Sequence, residues 1–122
     1  MFKDKKNEIK KALLKGGLVI AERGVGKTTA LLEILLDQTN MVIIVPTHTI
    51  KERYTDLLIE RFPGVYTKMD FSDTIILDSY KTEERLKGLH KDVYIDEYFL
   101  CKYRGPFKAA VGTLPLGTTI IE

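Results

Sequence analysis

The most specific chemistry in the chain lies in one short run, Ala21-Glu22-Arg23-Gly24-Val25-Gly26-Lys27-Thr28. It has the spacing of a phosphate-binding loop in which Ala replaces the first glycine. Gly24 and Gly26 let the backbone turn so that successive N–H groups face one concavity. A helix starting just after the loop aims its unpaired N–H groups and positive dipole end at the same anion. Glu22, Arg23, Gly24, Val25, Gly26, Lys27, Thr28 and Thr29 are therefore the expected nucleotide-binding residues. Lys27 is suited to neutralise the β- and γ-phosphates, and the Thr28 hydroxyl to ligate Mg²⁺. Arg23 is either a cis-acting arginine that stabilises transition-state charge or a solvent-facing loop residue.

A second element completes the site. Val93-Tyr94-Ile95-Asp96-Glu97 is an apolar run ending in two carboxylates, and Asp96 follows Lys27 by 69 residues. Many strands end in acidic turns, so the run is informative only beside the loop. Asp96 is expected to hold Mg²⁺ with Thr28, and Glu97 to polarise a water toward the γ-phosphate. The predicted catalytic residues are Glu97, Lys27 and Arg23, the predicted metal ligands Thr28 and Asp96, and the substrate ATP with Mg²⁺. The guanine-reading Asn-Lys-x-Asp pattern is absent from the sequence, which favours ATP over GTP.

Other polar residues have plainer readings beside their functional ones. Arg104, near Gly105-Pro106, is a surface arginine or a finger acting across a subunit interface. Thr47-His48 is a strand-to-helix turn or a nucleic-acid contact. Asp78 follows an apolar run and fits a turn or cap better than a metal site. His90 has no metal-ligand spacing to another His or Cys. Cys101 lacks the company of a nucleophile and reads as partly buried. Tyr94, Tyr98, Phe99, Tyr103 and Phe107 cluster around the acidic run and read first as core.

The elements that must position these residues follow from hydrophobic periodicity. A helix is predicted from about Lys3 to Lys15, closed by Gly16-Gly17, with Ile9, Ala12 and Leu13 on its apolar side. Strands are predicted at Leu18–Ala21, Met41–Val45, Thr74–Leu77, Val93–Ile95 and Thr118–Ile121. Helices are predicted at Thr28–Gln38, from a capping box at Thr49-Ile50-Lys51-Glu52 to Pro63-Gly64, and over residues 80–87. A further short helix is predicted around Lys108–Val111. Strands alternating with helices imply a mostly parallel five-stranded sheet in a three-layer α/β/α sandwich. Residues 1–16 form a basic amphipathic helix packed on the core, and residues 17–122 form a single domain.

Composition bounds the function. The chain has 122 residues, 44% hydrophobic and 30% charged, with a net charge of +2. That fits one globular domain and excludes a uniformly basic coat. The N-terminal fifteen residues hold six lysines against Asp4 and Glu8, a local patch that could meet DNA phosphates or a partner. A single cysteine excludes an internal disulfide framework. No apolar run approaches the ~18 residues of a membrane span, and no apolar segment follows the N-terminal lysines. The expected location is cytoplasmic, without a membrane partner.

The two motifs resemble the Walker A and Walker B elements of P-loop NTPases with a RecA-like core. Glu97 directly after Asp96 is similar to the additional-strand, catalytic-glutamate division. Within it, the chain resembles phage terminase large-subunit ATPase domains and, more loosely, superfamily one and two helicases. Arg23 inside the loop, Val45-Pro46-Thr47-His48-Thr49 after the second strand, and Ile95-Asp96-Glu97-Tyr98-Phe99 with the segments that follow it carry this resemblance. It implies ATP hydrolysis coupled to DNA handling, DNA contacts through the N-terminal lysines and Thr47-His48, a homo-oligomer or larger partner, and a phage-encoded protein in host cytoplasm. It also implies a polar coupling motif beyond the last sheet strand, which a strand at Thr118–Ile121 would put past Glu122. A nonhydrolytic nucleotide-binding module or a small nucleoside kinase are the alternatives.

Overall fold

The computed structural model describes residues 2–22, 26–38, 40–61, 63–64 and 74–113. Arg23, Gly24, Val25 and the predicted strand at Thr118–Ile121 lie outside them. The elements run α1 (Phe2–Lys15), β1 (Gly17–Ile20), α2 (Lys27–Asp37), β2 (Met41–Val45), α3 (His48–Arg61), β3 (Ile75–Leu77), α4 (Thr82–Leu86), β4 (Asp92–Asp96), a 3₁₀ turn (Tyr98–Leu100) and β5 (Ala109–Gly112).

The sheet has five strands in the order β1-β5-β4-β2-β3. Every pairing is parallel, with Val19 opposite Val111, Asp96 opposite Val111, Ile43 opposite Tyr94 and Val45 opposite Leu77. Parallel strands need crossovers, so all five C-terminal strand ends open on one edge. β2 is buried along its whole length, which matches its unbroken apolar run.

One face of the sheet is covered by α1, α2 and α3. Ile9 and Leu13 of α1, Leu31 and Ile34 of α2, and Tyr54 and Leu58 of α3 meet Ile43, Tyr94 and Val111 in the main core. Helix α2 is apolar on most sides because it lies between α1 and the sheet. On the other face, the described residues make less than a full helical layer. Among the described residues, the short α4 and the segment after β4 cover it, through Leu86, Tyr98, Cys101, Tyr103 and Phe107 on Ile44, Ile95 and Ala110.

Three local predictions are corrected. Residues 109–112 are a strand instead of a helix. Ala109, Ala110, Val111 and Gly112 are small enough for either, but the slot between β1 and β4 supplies backbone partners on both edges and buries all four. Helix α3 starts at His48 instead of Thr49, because Thr47 Oγ1 accepts the Ile50 N–H at 3.2 Å and Thr47 O the Lys51 N–H at 3.1 Å. The cap residue is thus Thr47. Helix α4 spans Thr82–Leu86, shorter than the predicted 80–87. The chain leaves α1 through Gly16 and Gly17 at φ 98° and 97°, a left-handed exit open to glycine.

Candidate nucleotide site at the C-terminal strand edge

Gly26 stands before α2 with φ 91° and ψ 26°, a left-handed conformation, and its carbonyl accepts the Ala30 N–H at 2.9 Å. A side chain here would be crowded as well as strained, since a Cβ would lie 3.0 Å from the Cβ of Lys6. Helix α1 therefore leans on the end of the loop. Lys27 is buried, and its Nζ donates to the Glu22 carbonyl at 2.6 Å. The ammonium is held at the start of the loop, where a phosphate oxygen would be its natural acceptor.

Across the sheet, β4 delivers Asp96 into the same place. Its Oδ2 accepts from Thr28 Oγ1 at 3.0 Å and from Tyr54 Oη at 2.8 Å. Asp96 is 1% exposed, and Oδ1 is buried with no hydrogen-bond partner. Burial raises its pKa above the ordinary carboxylate value, against the Tyr54 and Thr28 hydrogen bonds and the Lys27 charge, which pull it down. A buried carboxylate with an open oxygen beside a threonine hydroxyl suits a hard cation. Mg²⁺ needs only one or two protein oxygens when phosphates and waters complete its octahedron. The pair Thr28 and Asp96 fits that requirement, although the described residues contain no cluster of three or more His, Cys, Asp or Glu able to hold a metal by themselves.

Glu97 follows in a left-handed conformation, φ 54° and ψ 58°. Its Oε1 accepts from Thr113 Oγ1 at 2.8 Å. Thr113 is the first residue after β5.

These groups open on one cleft of about 520 Å³. Gly26, Lys27, Thr28 and Thr29 form one side, Asp96, Glu97 and Leu100 the floor, and α3 the far side with Ile50, Arg53, Leu57 and Arg61. Of the residues predicted from sequence, the described structure brings Gly26, Lys27, Thr28, Thr29, Asp96 and Glu97 together. Glu22 joins through its carbonyl. Sequence reasoning missed Tyr54, Thr113, Arg53 and Arg61. Tyr54 falls at helical spacing with Ile50, Leu57 and Leu58 and so reads as part of an apolar stripe, its hydroxyl being the one available signal.

The remaining candidates have structural roles. Arg104 Nη1 donates to the Cys101 and Tyr103 carbonyls at 2.6 and 2.7 Å, with its guanidinium 4.7 Å from the Tyr98 ring centre. It braces its own loop. Asp78 Oδ2 accepts the Lys102 N–H at 2.6 Å, tying that loop to the end of β3, while its Oδ1 is also buried without a partner. The carbonyl of His90 accepts from Asn40 Nδ2 at 3.1 Å. Cys101 is buried, its Sγ donates to the Asp96 carbonyl at 3.5 Å, and burial, with Asp78 and Asp96 nearby, pushes its thiol up to about 12. Such a thiol is not a nucleophile at neutral pH. In α1, Lys6 pairs with Glu33 at 2.6 Å and Lys10 with Asp37 at 3.1 Å.

Comparison of the chain with protein-family models, with curated proteins and with solved structures finds no match.

Proposed function

We propose that the chain is a P-loop NTPase that binds MgATP at the C-terminal edge of its sheet and hydrolyses it. The observation that carries this reading is the 3.0 Å hydrogen bond between Thr28 and Asp96, two residues 68 apart in the chain. A hydroxyl at the start of a helix after a glycine-rich segment and a buried strand-end carboxylate form the pair that a metal–phosphate group requires. The strand order adds support. β5 stands between the loop strand β1 and the acidic strand β4, as the name of the additional-strand division implies.

In this reading the α2 N-terminus and Lys27 bind the β- and γ-phosphates, with Lys27 exchanging the Glu22 carbonyl for a phosphate oxygen. Mg²⁺, held by Thr28 and Asp96, would draw charge from the phosphate oxygens. Glu97, braced through Oε1 by Thr113, uses its carboxylate to orient a water and to take its proton as the oxygen attacks the γ-phosphorus. The bond to the β-phosphate oxygen breaks, giving ADP and phosphate.

Coupling to DNA rests on the resemblance to terminases and helicases, as does assembly with further copies or partners. Lys6, Lys10 and Thr47 already have partners inside the fold. Lys5, Lys11, Lys15 and His48 are exposed and are the residues that would meet a phosphate backbone.

Phosphate release from MgATP, with and without single- and double-stranded DNA, tests the reading. Lys27→Ala should abolish nucleotide binding. Glu97→Gln should keep binding and lose turnover by ~10²-fold, the scale of general-base loss. Parent-like hydrolysis by Glu97→Gln would overturn the assignment, and ADP formation that requires an acceptor would point to a kinase.

A further inference from the structure

The wall of the cleft facing the phosphate loop carries charge that the site described so far does not use. Ile50, Arg53, Leu57 and Arg61 of α3 all line it. Their spacing puts them along one side of the helix. Ile50 and Leu57 are half-buried and pack toward the main core, whereas Arg53 and Arg61 are exposed. Among the described residues, neither arginine forms an ion pair or a hydrogen bond. Arg104, by contrast, is bonded into its own loop.

The register of this wall is fixed by Tyr54, the residue next to Arg53, whose hydroxyl bonds Asp96 at 2.8 Å. Helix α3 is thereby pinned to the metal-binding carboxylate. The cleft that these arginines line is lined also by Asp96 and Glu97, the carboxylates assigned to metal binding and hydrolysis in the reading above. The two Cα atoms are separated by eight residues, about 12 Å of helix rise. Long side chains at that separation can converge on one anion between them. A guanidinium offers a planar fork matched to phosphate oxygens, and water exclusion strengthens the contact.

We propose that Arg53 and Arg61 form a cationic wall that receives the terminal phosphate of the bound nucleotide and makes the site select triphosphate over diphosphate. This inference rests on the nucleotide-site reading above. The α3 wall supplies positive charge from an element other than the glycine loop, so it adds to whatever Arg23 contributes there. Selection arises because ADP leaves the wall without a ligand, while ATP places its γ-phosphate against it.

The test is calorimetric binding, in Mg²⁺, of a β,γ-imido ATP analogue and of ADP to the parent chain, Arg53→Ala and Arg61→Ala. Both positions are exposed, so the variants should fold, and ADP binding serves as the internal check. A hydrogen bond to a charged group implies a loss of roughly ten- to a hundredfold in analogue affinity for each variant. ADP affinity should stay within about twofold. Equal weakening of both ligands would overturn the proposal, because the arginines would then be reading a part common to both. Unchanged binding of both would also overturn it. A parent chain that binds neither nucleotide would overturn the nucleotide-site reading and this inference together, whereas parent binding with flat variants overturns the inference alone.

Discussion

Replacing Tyr54 by phenylalanine removes one hydroxyl from the deepest part of the site and almost nothing else. The ring is 0% exposed, so phenylalanine fills the same space without opening a cavity. The lost group is the 2.8 Å donor to Asp96 Oδ2, which leaves Thr28 as the donor to that oxygen. Asp96 is already short of partners, because Oδ1 has none and burial opposes its charge. A hydrogen bond to a charged group contributes about 1.5–3 kcal/mol. At ~4 °C per kcal/mol for a domain of this size, Tyr54→Phe should lower Tm by ~6–12 °C. A bond between neutral groups contributes only about 0.5–1.5 kcal/mol. In an Asp96→Asn background the same substitution should therefore cost about 1 kcal/mol less. Urea unfolding of the parent, both single variants and the double variant, without Mg²⁺ or nucleotide, gives the coupling directly. Additivity within ~0.3 kcal/mol would refute the reasoning, since it would mean that Tyr54 does not act on the Asp96 charge.

Three further outcomes are expected. Thr113→Val should leave ATP affinity within about threefold but slow phosphate release by roughly tenfold or more, with Thr113→Ser restoring most of it. Equal turnover in Thr113→Val would show that Glu97 needs no brace. Cys101 should resist alkylation at pH 8 until the chain is unfolded, and labelling at the rate of a free thiol would refute its burial. Its folded pKa lies above the ordinary 9.0, at about 12, so its contribution to stability is full below pH 9 and is lost as pH rises toward 12. Urea midpoints should accordingly fall across that window in the parent, and less steeply in Cys101→Ala.

That Gly26, Lys27 and Thr28 would share a cleft with Asp96 and Glu97 was legible, because the proposed phosphate chemistry needs fixed residue types at fixed spacing in one continuous segment. Asp96-Glu97 was legible only beside that segment. The helices α1 and α2 and the strand β2 were legible from periodicity, since each buries a strong apolar pattern. What the sequence hid depends on contacts between distant segments. Ala109–Gly112 has no periodicity that separates strand from helix, and only its place between β1 and β4 decides. With a helix expected there, nothing in the sequence set Thr113 beside Glu97. Tyr54 fits an apolar stripe and a hydrogen-bond donor equally well until α3 is set against β4. Arg53 and Arg61 look like solvated helix charges until the cleft they line is seen.

The junction of Asp96 and Glu97 shows why spacing alone could not describe the site. Successive side chains of a strand point to opposite faces of the sheet. Had β4 continued one residue further, Glu97 would have turned away from Asp96. Instead β4 stops at Asp96 and Glu97 takes φ 54°, the one positive φ outside glycine among the described residues. That break lets both carboxylates line the same cleft, with Glu97 turned toward Thr113. A left-handed conformation in a residue with a Cβ costs roughly 1–2 kcal/mol, and it adds to the cost of burying Asp96. Both fall at the end of a strand paired on either side by β2 and β5, with packed residues above and below it. The centre of the sheet is where such strain is best supported, and the strain is what brings two carboxylates to one cleft.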